Sequence, residues 1–166
     1  MNNKLNISYQ THKIFTDGSY NKTTKRCGYG VFISDNNINN FSGEINKKKT
    51  NNIAELTAIL KAIEISIKLP NYKIGDVIEI YTDSDYCIKS ILFWADTWEK
   101  NNWKTKNNKP VKNQELIQQI RSLYKSDHRI QLLFVRAHQI PPDKESDKYL
   151  LWYGNKMADK LATNKL

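Results

Sequence analysis

The chain has 166 residues, of which 39% are hydrophobic and 26% charged, and its 26 Lys and Arg against 17 Asp and Glu give a formal charge of +9. That size and composition suit one compact domain and exclude a disordered or low-complexity chain. No apolar run approaches the roughly 20 residues of a membrane span, and Cys27 and Cys87 supply neither a disulfide framework nor a zinc-ligand spacing, which points to a reducing compartment.

The opening Met-Asn-Asn-Lys-Leu-Asn-Ile-Ser has no apolar signal core. Residues 1–7 therefore read as a short tail, 8–166 as a single domain, and the expected location is the cytoplasm. His12 to Thr16 reads as a first strand entering a turn at Asp17-Gly18-Ser19. Gly28 to Ile33 is a second strand, Asp35-Asn36-Asn37 its turn, and Ile38 to Ile45 a third. Short links between three successive strands imply an antiparallel meander.

From Asn52 to Leu69 the apolar residues Ile53, Leu56, Ile59, Leu60, Ile63 and Ile67 recur at helical spacing, with Pro70 and Gly75 marking the exit. Val77 to Tyr81 is the next strand, and a crossover through the helix makes it join in parallel. Ser84 to Phe93 reads as a short helix, Asn113 to Tyr124 as an amphipathic one, and Arg129 to Val135 as the last strand. Between them, Trp94 to Pro110 interleaves Trp94, Trp98 and Trp103 with lysines. A polar segment over 139–153 turns aromatic at Tyr149 to Tyr153, and Gly154 to Thr163 forms a final helix. The sum is an α/β fold: a mixed five-stranded sheet, three strands antiparallel and two parallel, flanked by helices.

Charge is clustered at Lys47, Lys48 and Lys49, and again at Lys100, Lys104, Lys106, Lys109 and Lys112. Such clusters either attract phosphate backbones or form a solvated face, and charge alone does not choose.

Four acids stand at informative places. Asp17 and Asp83 end strand-like runs, and acids at the ends of central strands face a functional crevice. Each acid also has an ordinary reading. Asp17 suits a turn. Glu55 is placed to complete a capping box with Asn52. Asp83 suits a helix N-cap. Asp159 sits beside the packing residues Met157, Ala158, Leu161 and Ala162, one turn after Asn155, where a carboxylate needs a partner such as a divalent metal or a lysine.

Pooled, the motifs say more than any one acid. They are Phe15-Thr16-Asp17-Gly18-Ser19, Gly28-Tyr29-Gly30, Thr50-Asn51-Asn52, Ala54-Glu55-Leu56 and Tyr81-Thr82-Asp83-Ser84, followed by the Trp98 to Val111 stretch, Val135-Arg136-Ala137-His138 and Gly154 to Ala162. In this order they resemble the ribonuclease H family, in its type 1 form, from about His12 to Ala162. The resemblance implies a ribonuclease H-like fold and an endoribonuclease that cleaves the RNA strand of RNA–DNA hybrids, leaving 5′-phosphate and 3′-hydroxyl ends. It implies two Mg²⁺ ions, with Mn²⁺ as an alternative, held by Asp17, Glu55, Asp83 and Asp159. Asp17 would bridge the ions, Asp159 would serve the ion that activates water, and Glu55 and Asp83 the leaving-group side. His138 would assist proton movement or product departure.

By the same resemblance, Thr50, Asn51 and Asn52 grip backbone phosphate or read the minor groove, and Asn155 lies beside the scissile phosphate. Trp98, Lys100, Trp103, Lys104, Lys106 and Lys109 match a basic protrusion, about 94–110, that contacts the DNA strand. Mg²⁺ prefers oxygen ligands, and four converging carboxylates without an ion would repel one another and raise at least one pKa. The chain departs from the family pattern at His138-Gln139-Ile140-Pro141-Pro142, where many members have a glycine two residues after the histidine, and in the loop over 20–27, which lacks a glycine-rich stretch.

The leading expectation is a stand-alone monomeric enzyme that binds hybrid duplex and no membrane. The alternatives are a nuclease-dead hybrid-binding domain, another nuclease or strand-transfer enzyme of the same fold, and a domain cut from a reverse-transcriptase polyprotein.

Overall fold

The structure, a computed structural model, describes residues 9–69 and 72–164. The expected tail over 1–7 and the helix exit at Pro70 lie outside the described residues. The strands are β1 (Thr11–Tyr20), β2 (Cys27–Phe32), β3 (Phe41–Glu44), β4 (Val77–Thr82) and β5 (Ile130–Phe134). They form one sheet in the order β3-β2-β1-β4-β5. β1, β2 and β3 pair antiparallel, and β4 joins β1 and β5 in parallel, as the meander and crossover imply.

The helices are α1 (Asn51–Lys68), α2 (Asp85–Lys89), α3 (Ala95–Lys100), α4 (Gln114–Ser126) and α5 (Lys148–Thr163), with a π-helical turn over Ser90–Trp94 between α2 and α3. Among the described residues, no helix is long and apolar enough to cross a membrane.

Alternation along the strands feeds two cores. Ile14, Val31, Ile78 and Ile80 meet Leu56, Ile59 and Ile63 of α1 and Ile117 and Ile120 of α4 on one face. On the other face Phe15, Phe32 and Tyr81 meet Ala158 and Leu161 of α5. The sheet is thus enclosed between α1 and α4 on one side and α5 on the other, and its strand ends open toward the site.

Three expectations are corrected. First, Asp17, Gly18 and Ser19 do not turn; they continue β1, with Asp17 opposite Gly30 in the ladder with β2. Gly18 is there because α1 crosses at that point, and a Cβ would stand 2.2 Å from the Glu55 backbone nitrogen. Second, the helix beginning near Ser84 does not stop at Phe93. It runs on through the π turn to Lys100 as three consecutive helical segments. Third, the last helix starts at Lys148 and absorbs Tyr149 to Tyr153. Gly154 looks like a helix boundary but sits inside the helix, because the Phe15 ring packs there and would lie 2.3 Å from a Cβ.

Candidate active site

β1 and β4 run side by side, with Thr16 paired to Thr82. The next residues, Asp17, still within β1 and paired to Gly30, and Asp83, just past the end of β4, therefore stand at the same level. Close approach of α1 over Gly18 brings Glu55 to the same point. Asp17, Glu55 and Asp83 each offer an oxygen within 4.8 Å of the others. From the opposite face, α5 delivers Asn155 and Asp159 into the same cleft, whose volume is about 560 Å³. Asn155 donates its amide to Asp83 Oδ2 at 3.0 Å. Asp159 stands outside the tight trio but is near enough to Asp17 for its charge to act there.

The ordinary readings of these acids fail one by one. The N-cap of α1 is Thr50, whose hydroxyl accepts the Ile53 N–H at 3.2 Å. Glu55 is then too deep in the helix for a capping box with Asn52. Ser84, not Asp83, caps α2 by accepting the Cys87 N–H at 3.3 Å. Asp17 is in a strand. Asp159 forms no ion pair with a lysine among the described residues.

What remains is an electrostatic conflict. Asp17 and Glu55 are only 7% and 8% exposed. Burial, then the charges of Asp83 and Asp159, push the Asp17 carboxyl up to about 8. Burial, then Asp17 and Asp83, push Glu55 up to about 10. The Gly18 backbone N–H opposes both shifts. Glu55 Oε2 and Asn155 Oδ1 are buried without a hydrogen-bond partner, which is costly unless something binds them. An all-oxygen donor set with an orphaned carboxylate oxygen fits a hard divalent cation and offers no sulfur or imidazole cluster for zinc.

The other expected residues divide between the cleft and its surroundings. Asn51 and His138 line the cleft. Asn51 Oδ1 accepts the Tyr20 N–H at 2.9 Å, which fixes the β1–β2 loop against α1. His138 is exposed and adopts a left-handed backbone with φ of 51°. Thr50 spends its oxygen lone pair on the cap and keeps its O–H to donate, while Asn52 is exposed on the first turn of α1.

The protrusion lies away from the cleft. Its lysines Lys100, Lys104, Lys106 and Lys109 are exposed. Its turn is closed by a bridge between Lys104 and Pro110 and by the Val111 N–H donating to Trp103 O at 2.9 Å. The tryptophans form a ladder, Trp94 to Trp98 at 5.7 Å and Trp98 to Trp103 at 6.2 Å between ring centroids. Trp103 is 9% exposed and packs in the main core, so it supports the loop rather than presenting a ring to a ligand.

Sequence reasoning missed Arg121. Its buried guanidinium reaches from α4 to the π turn, donating to Ile91 O at 2.6 Å, and pairs with Asp96 and with Glu99 Oε1 at 3.1 Å. It ties the root of the protrusion to the core. Arg136, Trp152 and Lys156, which also line the cleft, were missed too. A helix drawn from Lys148 would have put Trp152, Asn155, Lys156 and Asp159 on one face by their three- and four-residue spacing.

Residues 10–166 match the family model described as RNase H. Ribonuclease H of Dechloromonas aromatica (strain RCB) is 39% identical over 138 residues, covering 82% of this chain and 87% of that protein. Ribonuclease H of Orientia tsutsugamushi (strain Boryong) is 36% identical over 152 residues, 92% of this chain and 80% of that one. The fold matches the solution structure of the PFV RNase H domain with a TM-score of 0.70 at 23% identity, covering 95% of this chain and 94% of that one. It also matches the foamy viral protease-reverse transcriptase in complex with RNA/DNA hybrid, with a TM-score of 0.70 at 20% identity, over 92% of this chain and 19% of that one.

Proposed function

Because the chain belongs to the RNase H family, we propose that it is an endoribonuclease that hydrolyses the RNA strand of RNA–DNA hybrids and leaves 5′-phosphate and 3′-hydroxyl ends. The observation that carries this reading is the convergence of Asp17, Glu55 and Asp83, oxygens within 4.8 Å, in a cleft shared with Asp159 and Asn155. The proposed functional unit is the domain over 8–166, with 94–110 as its basic protrusion. A monomer suffices, since one chain supplies every group invoked.

The proposed cofactor is a pair of Mg²⁺ ions held by Asp17, Glu55, Asp83 and Asp159, with Mn²⁺ able to replace them. Bound there, divalent ions supply Lewis-acid polarisation of the phosphate, activation of water and stabilisation of the leaving oxygen. The chain's own groups do the rest. Asp17, whose carboxyl lies with those of Glu55 and Asp83 and feels the charge of Asp159, would help hold both ions. Asp159 would serve the ion that activates water, and Glu55 and Asp83 the ion on the leaving-group side. Asn155 orients Asp83 through its amide, while its carbonyl oxygen is buried without a partner. His138, exposed at the rim, moves a proton or eases product departure.

Recognition is by backbone and shape. The O–H of Thr50 and the amides of Asn51 and Asn52 suit phosphate and 2′-hydroxyl groups, and the 2′-hydroxyl is what distinguishes the RNA strand. Lys100, Lys104, Lys106 and Lys109 attract the DNA backbone, supported from beneath by Trp98 and Trp103. These contacts carry no base code, so cleavage shows little sequence preference. The test is a set of labelled duplexes of one sequence: RNA–DNA hybrid, double-stranded DNA and double-stranded RNA, each with and without Mg²⁺. The expected result is cleavage of the RNA in the hybrid alone and only with the metal. Cleavage of double-stranded DNA, or no cleavage of the hybrid, overturns the reading.

A further inference from the structure

The α5 side of the cleft carries three groups that the reaction above leaves without a task. Trp152 and Lys156, one turn apart on α5, and Arg136, beyond the end of β5, line the same cleft as the acids. Lys156 Nζ lies 4.8 Å from the Trp152 ring centroid, over the face of the indole. The indole N–H donates to Gln139 O at 3.0 Å, which joins α5 to the loop that carries Arg136 and His138. One aromatic side chain thus positions a lysine with its face and anchors an arginine-bearing loop with its edge.

Among the described residues, neither Arg136 nor Lys156 is ion-paired with a carboxylate, although several acids open into the same cleft. Both are exposed. Two cations held beside an acidic floor, but not neutralised by it, attract an anion that bridges the two regions. A cation over an indole face is restrained by about 0.5–1 kcal/mol at an exposed site. Part of the entropy of fixing the lysine is therefore already met before a ligand arrives.

We propose that Arg136 and Lys156, braced by Trp152, form a subsite for a backbone phosphate next to the scissile one, on the strand being cut. The proposal rests on the hydrolase reading above and adds a binding site to it. Its chemistry is that of a phosphodiester anion held by one planar guanidinium and one ammonium. The site lies on the α5 wall and the protrusion on α3 and the loop after it, so the two grip the duplex independently.

The test uses the full chain and hybrids in which single phosphates, first of the RNA strand and then of the DNA strand, are replaced by uncharged methylphosphonate. For the parent, one RNA-strand position beside the cut slows cleavage by about tenfold, the size of one charge-assisted contact. In the double variant Arg136→Gln/Lys156→Gln, the unmodified hybrid is cut about tenfold more slowly, and the neutral linkage at that position adds no further loss. The charge-retaining variant Lys156→Arg, with Arg136 intact, keeps the parent's pattern. An unchanged pattern in the double variant overturns the subsite, as does loss of sensitivity at a DNA-strand phosphate instead. Hybrid binding, followed by fluorescence anisotropy against salt, decides the matter without cleavage. The slope of log affinity against log salt falls by about 1 for the one lost phosphate contact, and an unchanged slope overturns the proposal. Failure of the parent to cut the unmodified hybrid sinks the hydrolase reading alone.

Discussion

The acidic floor and the basic protrusion carry opposite charge and are supported in opposite ways. Asp17 and Glu55 are 7% and 8% exposed, fixed by a central strand and an early turn of α1 that meet at Gly18. Lys100, Lys104 and Lys106 stand in water, and only what lies beneath them, Trp103 and Val111, is buried. Burial strengthens every electrostatic interaction and makes uncompensated charge costly, so the floor demands a counter-ion. Exposure leaves the lysines screened by salt beyond about 10 Å, so in the proposed role they would attract a duplex without ordering chemistry. In the proposed reading, one region acts on a bond and the other raises the time a duplex spends nearby.

Mutations that separate the two regions sharpen the contrast. The largest expected effect is on the floor. Asp17→Asn lowers cleavage by on the order of 10²–10³-fold, the scale of removing one preorganised electrostatic group, while hybrid binding at fixed salt changes little. Equal cleavage by variant and parent at saturating Mg²⁺ removes the proposed sharing role.

Arg121→Met comes next and acts on the support of the protrusion. It strands the Ile91 carbonyl and releases Asp96 and Glu99. The expected cost is about 1–3 kcal/mol for the unsatisfied buried group, seen in urea unfolding, with weaker hybrid binding and little change in the cleavage rate at saturating hybrid. A stable variant with parental affinity shows that the protrusion needs no such tie.

Removing Lys100, Lys104 and Lys106 together tests attraction alone. The salt slope of hybrid binding is expected to fall by up to about 3, with the metal requirement unchanged. A parental slope across a salt series counts against these lysines as phosphate contacts.

The smallest effect is on stability and depends on pH. Folding raises the Asp17 pKa from 3.8 to about 8 and the Glu55 pKa from 4.5 to about 10. The folded chain then keeps protons that the unfolded chain has lost. Stability from these groups is complete below about pH 4 and drains as pH rises through about 8 for Asp17 and about 10 for Glu55, in the absence of divalent ions. Glu55→Gln is neutral throughout and escapes its share of the loss. Without divalent ions it should melt a few degrees above the parent at pH 8, at about 2–4 °C per kcal/mol, and match it near pH 4. A lower melting point for the variant at pH 8 contradicts the buried-charge conflict.

The same contrast explains what the sequence made legible. Five strands and α1 were visible because period-two alternation and helical periodicity report burial, and burial is what the sheet and α1 share. The four acids were found through motifs around them, since each alone has an ordinary explanation. Asp17-Gly18-Ser19 read as a turn because local turn preference is strong, whereas the strand continues to meet α1, a tertiary fact. The start of α5 was hidden by Gly154, which packs against Phe15 from within the helix. Losing those first turns also hid Trp152. Arg121 was invisible because a buried arginine on an amphipathic helix has the same local pattern as a solvated one. In each case the missing information was a contact between distant segments.

The account rests on the acids jointly binding divalent cations. Its most direct test is calorimetric titration of Mn²⁺ into the parent and into Asp17→Asn at pH 7, each in two buffers of different ionisation enthalpy. The expected result is binding to the parent with release of protons, because carboxyls held up to about 8 and about 10 must ionise to take the metal, and much weaker binding to the variant. Absence of binding to the parent, or the same isotherm for both proteins, contradicts the account.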